Sequence, residues 1–305
     1  MKKLIITAFG GCVLLLSSCK ENDLKLNYGS TSVDTTYVLS SVPAAQAHNV
    51  LIEEFTGQSC PNCPQGHVIL TGIEGSNAPG RVNVIGLYMT DFAQTVPLAG
   101  SKYDFRDTSA TMIGNAIYGS VGGIPVAGID RGYNVSNATY QEYRSAWTSL
   151  TNTHLTIADS VNVDVTSTFN PDSTATIVAT VTYLYPMSTS QSLNIAITED
   201  GMVDLQEDVS SDDTAYLFTN VFRAFVTSAP GGDVLLPAIA TKEAGRIIRK
   251  TYTYKPRFKP ASATADKNYI VNPNNCKVIA YVAYSTSEGA LKDVLQSAST
   301  KLVGP

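Results

Sequence analysis

The chain has 305 residues, 44% hydrophobic and only 15% charged, with a formal charge of −5. That length fits two domains of ordinary size. The acidic balance excludes a nucleic-acid binder, which needs excess cations to neutralise phosphates, and the composition excludes a disordered chain or a polytopic membrane protein. Sixteen Tyr, among many Thr, Val and Ser, favour strands. Three His and five Cys leave few metal ligands, and nothing in the sequence calls for a cofactor.

Met1-Lys2-Lys3 is a basic start, and Leu4 to Leu16 is an apolar run too short to span a bilayer as a mature helix. Its end, Leu16-Ser17-Ser18-Cys19, resembles a bacterial lipobox. The resemblance implies a lipoprotein signal peptide over residues 1–18, lipidation of Cys19, and attachment to the membrane through that N-terminal lipid. Lys20-Glu21-Asn22-Asp23 resembles the acidic export tag of surface lipoproteins in Bacteroidetes; a solvated tether is the alternative. Residues 19–47 read as a tether with one short strand near Thr36–Leu39.

From Asn49 the texture changes. Val50 to Phe55 is a buried-type strand, a loop follows, and the sequence places a helix start at Cys60-Pro61. Arg81–Leu87 is a second apolar strand. Asp91–Ser120 is expected to hold one or two short helices with Tyr103, Phe105, Met112 and Ile113 inward. Gly122-Gly123-Ile124-Pro125 leads into a strand at Val126–Asp130. A helix is expected at about Thr139–Leu150, capped by Ser136 or Asn137, with Tyr143, Trp147 and Leu150 on one stripe. Alternating strands and helices over residues 48–150 indicate an α/β domain.

After Thr151 the period switches to two. Leu155–Ile157, Val161–Val165, Ala175–Tyr183, Leu193–Ile197, Ile247–Tyr254 and Lys277–Tyr284 read as strands, with Asn170-Pro171-Asp172 and Glu199-Asp200-Gly201 as turns. Residues 151–305 are therefore an antiparallel β-sandwich interrupted by an insertion over 202–240.

The chemistry concentrates at Cys60-Pro61-Asn62-Cys63. A C-x-x-C after a buried strand, at the head of a helix and outside the cytoplasm, reads as a redox motif. Glu54 lies six residues before the first Cys, and Gly123-Ile124-Pro125 comes 62 residues after the second. Together these features resemble thioredoxin. Glu54 stands at the position of that family's strand carboxylate and Pro125 at its cis-proline, and the longer spacing implies an insertion around Asp91–Ser120. The resemblance implies that Cys60 is the exposed nucleophile, Cys63 the resolving thiol and Glu54 a proton carrier for Cys63. Pro61, Asn62, Gly123 and Ile124 then make the substrate-binding surface, with the Ile124 backbone pairing to an extended peptide.

Other groups are weighed against this site. Pro64 after Cys63 excludes haem attachment. Zinc on Cys60, Cys63 and His67 lacks a fourth ligand, so no metal is assigned. His67 reads as a helix-face polar residue, His48 and His154 as solvated, and Cys276 as a half-buried, unreactive thiol. Lys255, Arg257 and Lys259 form a small basic patch.

The lipobox, Glu53-Glu54-Phe55-Thr56-Gly57 before the C-x-x-C, Gly123-Ile124-Pro125 with Asp130-Arg131, Val221-Phe222-Arg223-Ala224, and the ending Val278-Ile279-Ala280-Tyr281 with Val294-Leu295-Gln296-Ser297-Ala298 resemble the outer membrane protein twenty-eight family of Bacteroidetes lipoproteins. The resemblance implies α/β plus all-β architecture: a thioredoxin-like α/β domain followed by an immunoglobulin-like β-sandwich, anchored at the outer membrane on its periplasmic or cell-surface face. The function expected is thiol–disulfide exchange on extracytoplasmic protein thiols or disulfides. The alternative is a non-catalytic surface module that binds a host or glycan ligand and carries a vestigial C-x-x-C.

Overall fold

Period-two side chains fill both faces of one long sheet and one face of a second. The computed structural model describes residues 33–258 and 268–304. The expected signal segment, Cys19 and Lys259 lie outside the described residues.

The first half carries β1 (Val33–Val38), β2 (Val50–Phe55), α1 (Cys63–Gly75), β3 (Val82–Leu87), α2 (Thr108–Ala116), β4 (Val126–Ile129), β5 (Glu142–Tyr143) and α3 (Arg144–His154). The second carries β6 (Val161–Phe169), β7 (Ala175–Tyr183), β8 (Gln191–Glu199), β9 (Met202–Gln206), β10 (Asp213–Phe218), β11 (Val221–Phe225) and β12 (Asp233–Val234). It closes with β13 (Arg246–Tyr254), β14 (Cys276–Tyr284) and β15 (Val294–Lys301). The protein is mostly β with few helices.

The large sheet runs β15-β14-β8-β11-β3-β2-β4-β5, with β12 also on β8. A smaller sheet runs β1-β13-β7-β6, and among the described residues β9 and β10 pair only with each other. β2 and β3 are parallel, joined through α1, whereas β4 returns antiparallel to β2. Val50 and Ile52 of β2 point to one face, where Leu70 and Ile73 of α1 and Trp147 of α3 cover them. Leu51 and Phe55 point to the other face and meet Ile113 of α2, Phe222 of β11 and Tyr281 of β14. At the β8–β14 end, Ile195, Ile197, Val278 and Ala280 pack against Ile177, Val181 and Ile248 of the smaller sheet. This is face-to-face packing of two sheets.

Several local expectations change. α1 begins at Cys63, not at Cys60-Pro61. The Cys63 amide donates to the Cys60 carbonyl (3.1 Å), and Asn62 is the cap, so Cys60 lies on the preceding turn. α3 begins at Arg144, five residues later than expected. The Asn134 side chain accepts the Ser136 and Asn137 amides, which shapes a turn, and Glu142–Tyr143 pairs with β4. Tyr143 is therefore 73% exposed, while Trp147 is buried and its indole N–H donates to the Glu142 carbonyl. Met112 faces outward, unlike Phe105 and Ile113, and Leu155–Ile157 forms no strand. Within 202–240, β11 enters the large sheet between β8 and β3.

Candidate functional site

Gly57 to Ser59 form a tight loop between β2 and the C-x-x-C. A side chain at Gly57 would run into the Gln94 carbonyl, so only glycine lets the two backbones approach. The Ser59 amide donates to the Gln94 carbonyl (2.9 Å), and its hydroxyl donates to the Val96 carbonyl (2.6 Å). At the end of this loop Cys60 and Cys63 are joined in a disulfide with Cα atoms 5.4 Å apart. Cys60 Sγ lies 3.8 Å from the carbonyl oxygen of Ile124, and the Ile124–Pro125 peptide is cis. The sequence-selected Cys60, Cys63, Ile124 and Pro125 thus meet in one place. A cavity of 960 Å³ opens beside them, lined by Asn62, Gly123, Ile124, Pro125, Tyr143 and Arg144. Arg144 donates to the Asn62 carbonyl (2.8 Å), tying α3 to the C-x-x-C turn. Pro61 is half-buried and Asn62 exposed.

One expectation fails here. Cys60 is only 2% exposed, against 0% for Cys63, so neither sulfur is freely open to solvent. β9 and the residue after it hold the backbone of the loop that carries Cys60. The Gln206 side-chain amide donates to the carbonyls of Gly57 (3.1 Å) and Cys60 (3.2 Å). The Glu207 amide donates to the Gln58 carbonyl (2.8 Å).

Glu54 projects from β2 toward α1. Its Oε1 sits 3.0 Å from where a Cβ would stand on Gly66, one helical turn after Cys63. It is 2% exposed, and Oε1 has no hydrogen-bond partner among the described residues. Burial, reinforced by the negative charge of Glu74, pushes its carboxyl well above the usual carboxylate range, which favours the protonated form. His67 lies 3.6 Å from Glu54 Oε2. Burial lowers its imidazole to about 4. With the imidazole neutral, the contact is not an ion pair. His67 is not a solvated helix-face residue. Its Nε2 is 2.8 Å from the Thr56 hydroxyl, and its Nδ1 is 2.7 Å from the Tyr216 hydroxyl on β10.

The other singled-out residues serve the frame. Arg131 donates two hydrogen bonds to Glu53 (both 2.7 Å), and the Tyr118 hydroxyl donates a third. His48, expected to be solvated, is buried between Asp130 (2.8 Å) and Asp159 (2.5 Å). His154 also reaches Asp130 (3.0 Å). Cys276 is buried, and burial raises its thiol pKa strongly, which leaves it protonated and unreactive.

Sequence reading missed Gln206, which holds the Cys60 loop, and Tyr216, which holds His67. No sequence signal marks them: in β9 the buried positions are Met202, Asp204 and Gln206, while the apolar Val203 and Leu205 lie on the less buried face.

The chain aligns with the solved structure of HBP35 of Porphyromonas gingivalis at a TM-score of 0.62 and 16% identity, over 86% of this chain and 78% of that one. At that identity the likeness is one of fold. A domain of the outer membrane lipoprotein Omp28 from Porphyromonas gingivalis aligns at 12% identity and a TM-score of 0.30, over 48% of this chain and 90% of that one. No curated protein sequence matches the chain. The profile of outer membrane protein Omp28 matches residues 115–302, well over half of the sequence. The chain belongs to the Omp28 family of outer membrane proteins.

Proposed function

We propose that this is a lipid-anchored, thioredoxin-like protein that exchanges disulfides with extracytoplasmic proteins. The observation that carries the reading is the Cys60–Cys63 disulfide at the head of α1, facing the Ile124 carbonyl at the edge of an open cavity. The parallel β2–α1–β3 unit with antiparallel β4 supports a thioredoxin-like first segment, residues 48–150. The packed sheets support an immunoglobulin-like sandwich within residues 151–305. Lipidation at Cys19 would supply the anchor.

In the reduced protein, the Cys60 thiolate attacks a substrate disulfide and expels one substrate thiolate. Cys63 then attacks the Cys60 sulfur of the mixed disulfide and expels the second. The substrate gains two electrons and two protons, and the protein ends as the disulfide observed. The positive end of the α1 dipole, next to the turn that carries Cys60, favours thiolate on Cys60. Glu54, buried beside α1 with its carboxyl pKa raised, is the proton reservoir for Cys63. Pro61, Asn62, Gly123 and Ile124 bound the surface where a substrate backbone would lie.

A second reading is favoured by one observation, the 2% exposure of Cys60. In it the disulfide is static and the protein is a surface binding module for a host or glycan ligand. Equilibration of the protein with glutathione mixtures separates the two. The exchange reading expects a reversible two-electron couple at Cys60–Cys63 and turnover of a protein disulfide that the Cys60→Ser/Cys63→Ser variant lacks. A pair that never equilibrates while the fold stays intact defeats it and leaves the binding module.

A further inference from the structure

We propose that the β9–β10 hairpin is a hinged cover over the Cys60–Cys63 disulfide, held shut by Gln206 and Tyr216, and that access to the sulfurs requires it to swing away. The use of this cover in catalysis rests on the exchange reading, whereas the cover itself rests on geometry alone.

The hairpin is mechanically separate. β8 and β11 pair within the large sheet, with Val221 opposite Glu199. Both strands then leave that sheet and continue as β9 and β10, which among the described residues pair with each other and with no other strand. The departure occurs at one level on both strands. Gly201 has φ of 80° and Asn220 φ of 57°, so each backbone turns through the left-handed region there. Asn220 is fixed from outside the hairpin. Its carbonyl accepts from Gly86, its side-chain amide donates to Glu74, and Lys277 donates to its side-chain oxygen. This point is a fulcrum, held to the body while the arm beyond it is free of the sheet.

Attachment changes character along the arm. Near the fulcrum Met202 and Phe218 pack with Tyr88 and Phe105 in an apolar cluster. Farther out the contacts are polar. Asp204 accepts the amides of Lys102 and Tyr103 (both 2.9 Å). Gln206 and Glu207 hold the Gly57–Cys60 loop, and Tyr216 holds His67. At the tip, residues 209–215 are exposed. Asp204 and Gln206 are buried in the closed arm, but on opening their polar groups exchange protein partners for water at small net cost, whereas the apolar root would expose hydrocarbon. The arm therefore opens from its tip, and the part that opens before the root is the part that holds the Cys60 loop.

The test is the rate at which dithiothreitol reduces Cys60–Cys63 in the folded full chain, read by quenching with maleimide and counting labelled peptides. When the cover closes faster than reduction occurs, the rate follows the open population. Gln206→Ala and Tyr216→Phe should each raise it about two- to tenfold, the shift expected from removing one net hydrogen bond. Ile248→Val, in the sandwich core far from the hairpin, lowers global stability without touching the latch and should leave the rate unchanged. Unchanged rates in both latch variants would overturn the cover. So would an Ile248→Val rate that rises as much as theirs, because opening would then be global. If the wild-type disulfide resists reduction and Gln206→Ala releases it, the cover stands and exchange by the unaided protein does not.

Discussion

His48 shows how one side chain ties distant segments. Its imidazole is enclosed by Asp130 after β4 and Asp159 before β6, while Asp130 also accepts the Leu51 amide (2.7 Å). Burial alone would lower the His48 pKa. The hydrogen bonds and charges of the two carboxylates outweigh it and raise the group to about 9. Because the folded value exceeds the unfolded one, the stabilisation is complete below about pH 6.5 and disappears as pH rises through 9. The shift corresponds to something on the order of 3 kcal/mol. Urea unfolding from pH 6 to 10 should show wild type losing stability across that window, with His48→Gln less stable at pH 6 and flatter above. Parallel curves for the two proteins would mean the imidazole is not charged in the fold. Glu54 gives the opposite kind of test. Its raised carboxyl keeps a proton that the unfolded chain releases, so it costs stability increasingly as pH climbs above about 4.3. Glu54→Gln should therefore be more stable than wild type by a margin that widens with pH in urea melts, while exchange at the disulfide slows. A constant margin would indicate that Glu54 is ionised. At this scale the cysteines were legible because their spacing is itself the signal. His48 was not, because its partners lie 82 and 111 residues away.

Elements were legible where one chain segment decides its own structure. β7 occupies Ala175–Tyr183 as alternation predicts, and β14 differs by one residue at Cys276. α1 and α3 start late for tertiary reasons: Cys60 is drawn into a turn ahead of the helix, and Glu142–Tyr143 is recruited as an edge strand. The β9–β10 arm gives no local clue to its target, since its contacts with the Gly57–Cys60 loop arise only in the folded chain. α1 offers a test of packing against propensity within one helix. An alanine Cβ at Gly66 would meet Glu54 Oε1 at 3.0 Å and the Trp147 ring at 3.1 Å, whereas at Gly72 it would meet nothing within 4 Å. Gly72→Ala should stabilise by roughly 0.5–1 kcal/mol through helix propensity alone. Gly66→Ala should destabilise by about 1–3 kcal/mol, because overpacking between α1, β2 and α3 exceeds that gain. Chemical denaturation of both variants checks the sign; stabilisation by Gly66→Ala would show that α1 shifts freely away from Trp147.

At the scale of the whole molecule, the two segments proposed as domains share a sheet. β11, from the second, lies between β8 and β3, and the Val294 amide at the start of β15 donates to the Asp130 carbonyl (2.8 Å). Phe222, Ile279 and Tyr281 complete the apolar layer that covers Leu51, Phe55 and Ile85. Neither segment can unfold without exposing the other's core, so the apolar term that drives folding couples them. The single tryptophan, Trp147, reports the layer of α1 and α3. Far-ultraviolet dichroism sums over the helices and strands of both segments. Coincident transitions by independent probes are the mark of one cooperative unit. Tryptophan fluorescence and dichroism should therefore give the same midpoint in guanidinium, and Ile248→Val, placed in the sandwich, should move both by the same amount. Separate midpoints, or a fluorescence curve indifferent to Ile248→Val, would show that the continuous sheet joins two bodies that fold on their own. The disulfide would then report only the stability of the segment that carries it.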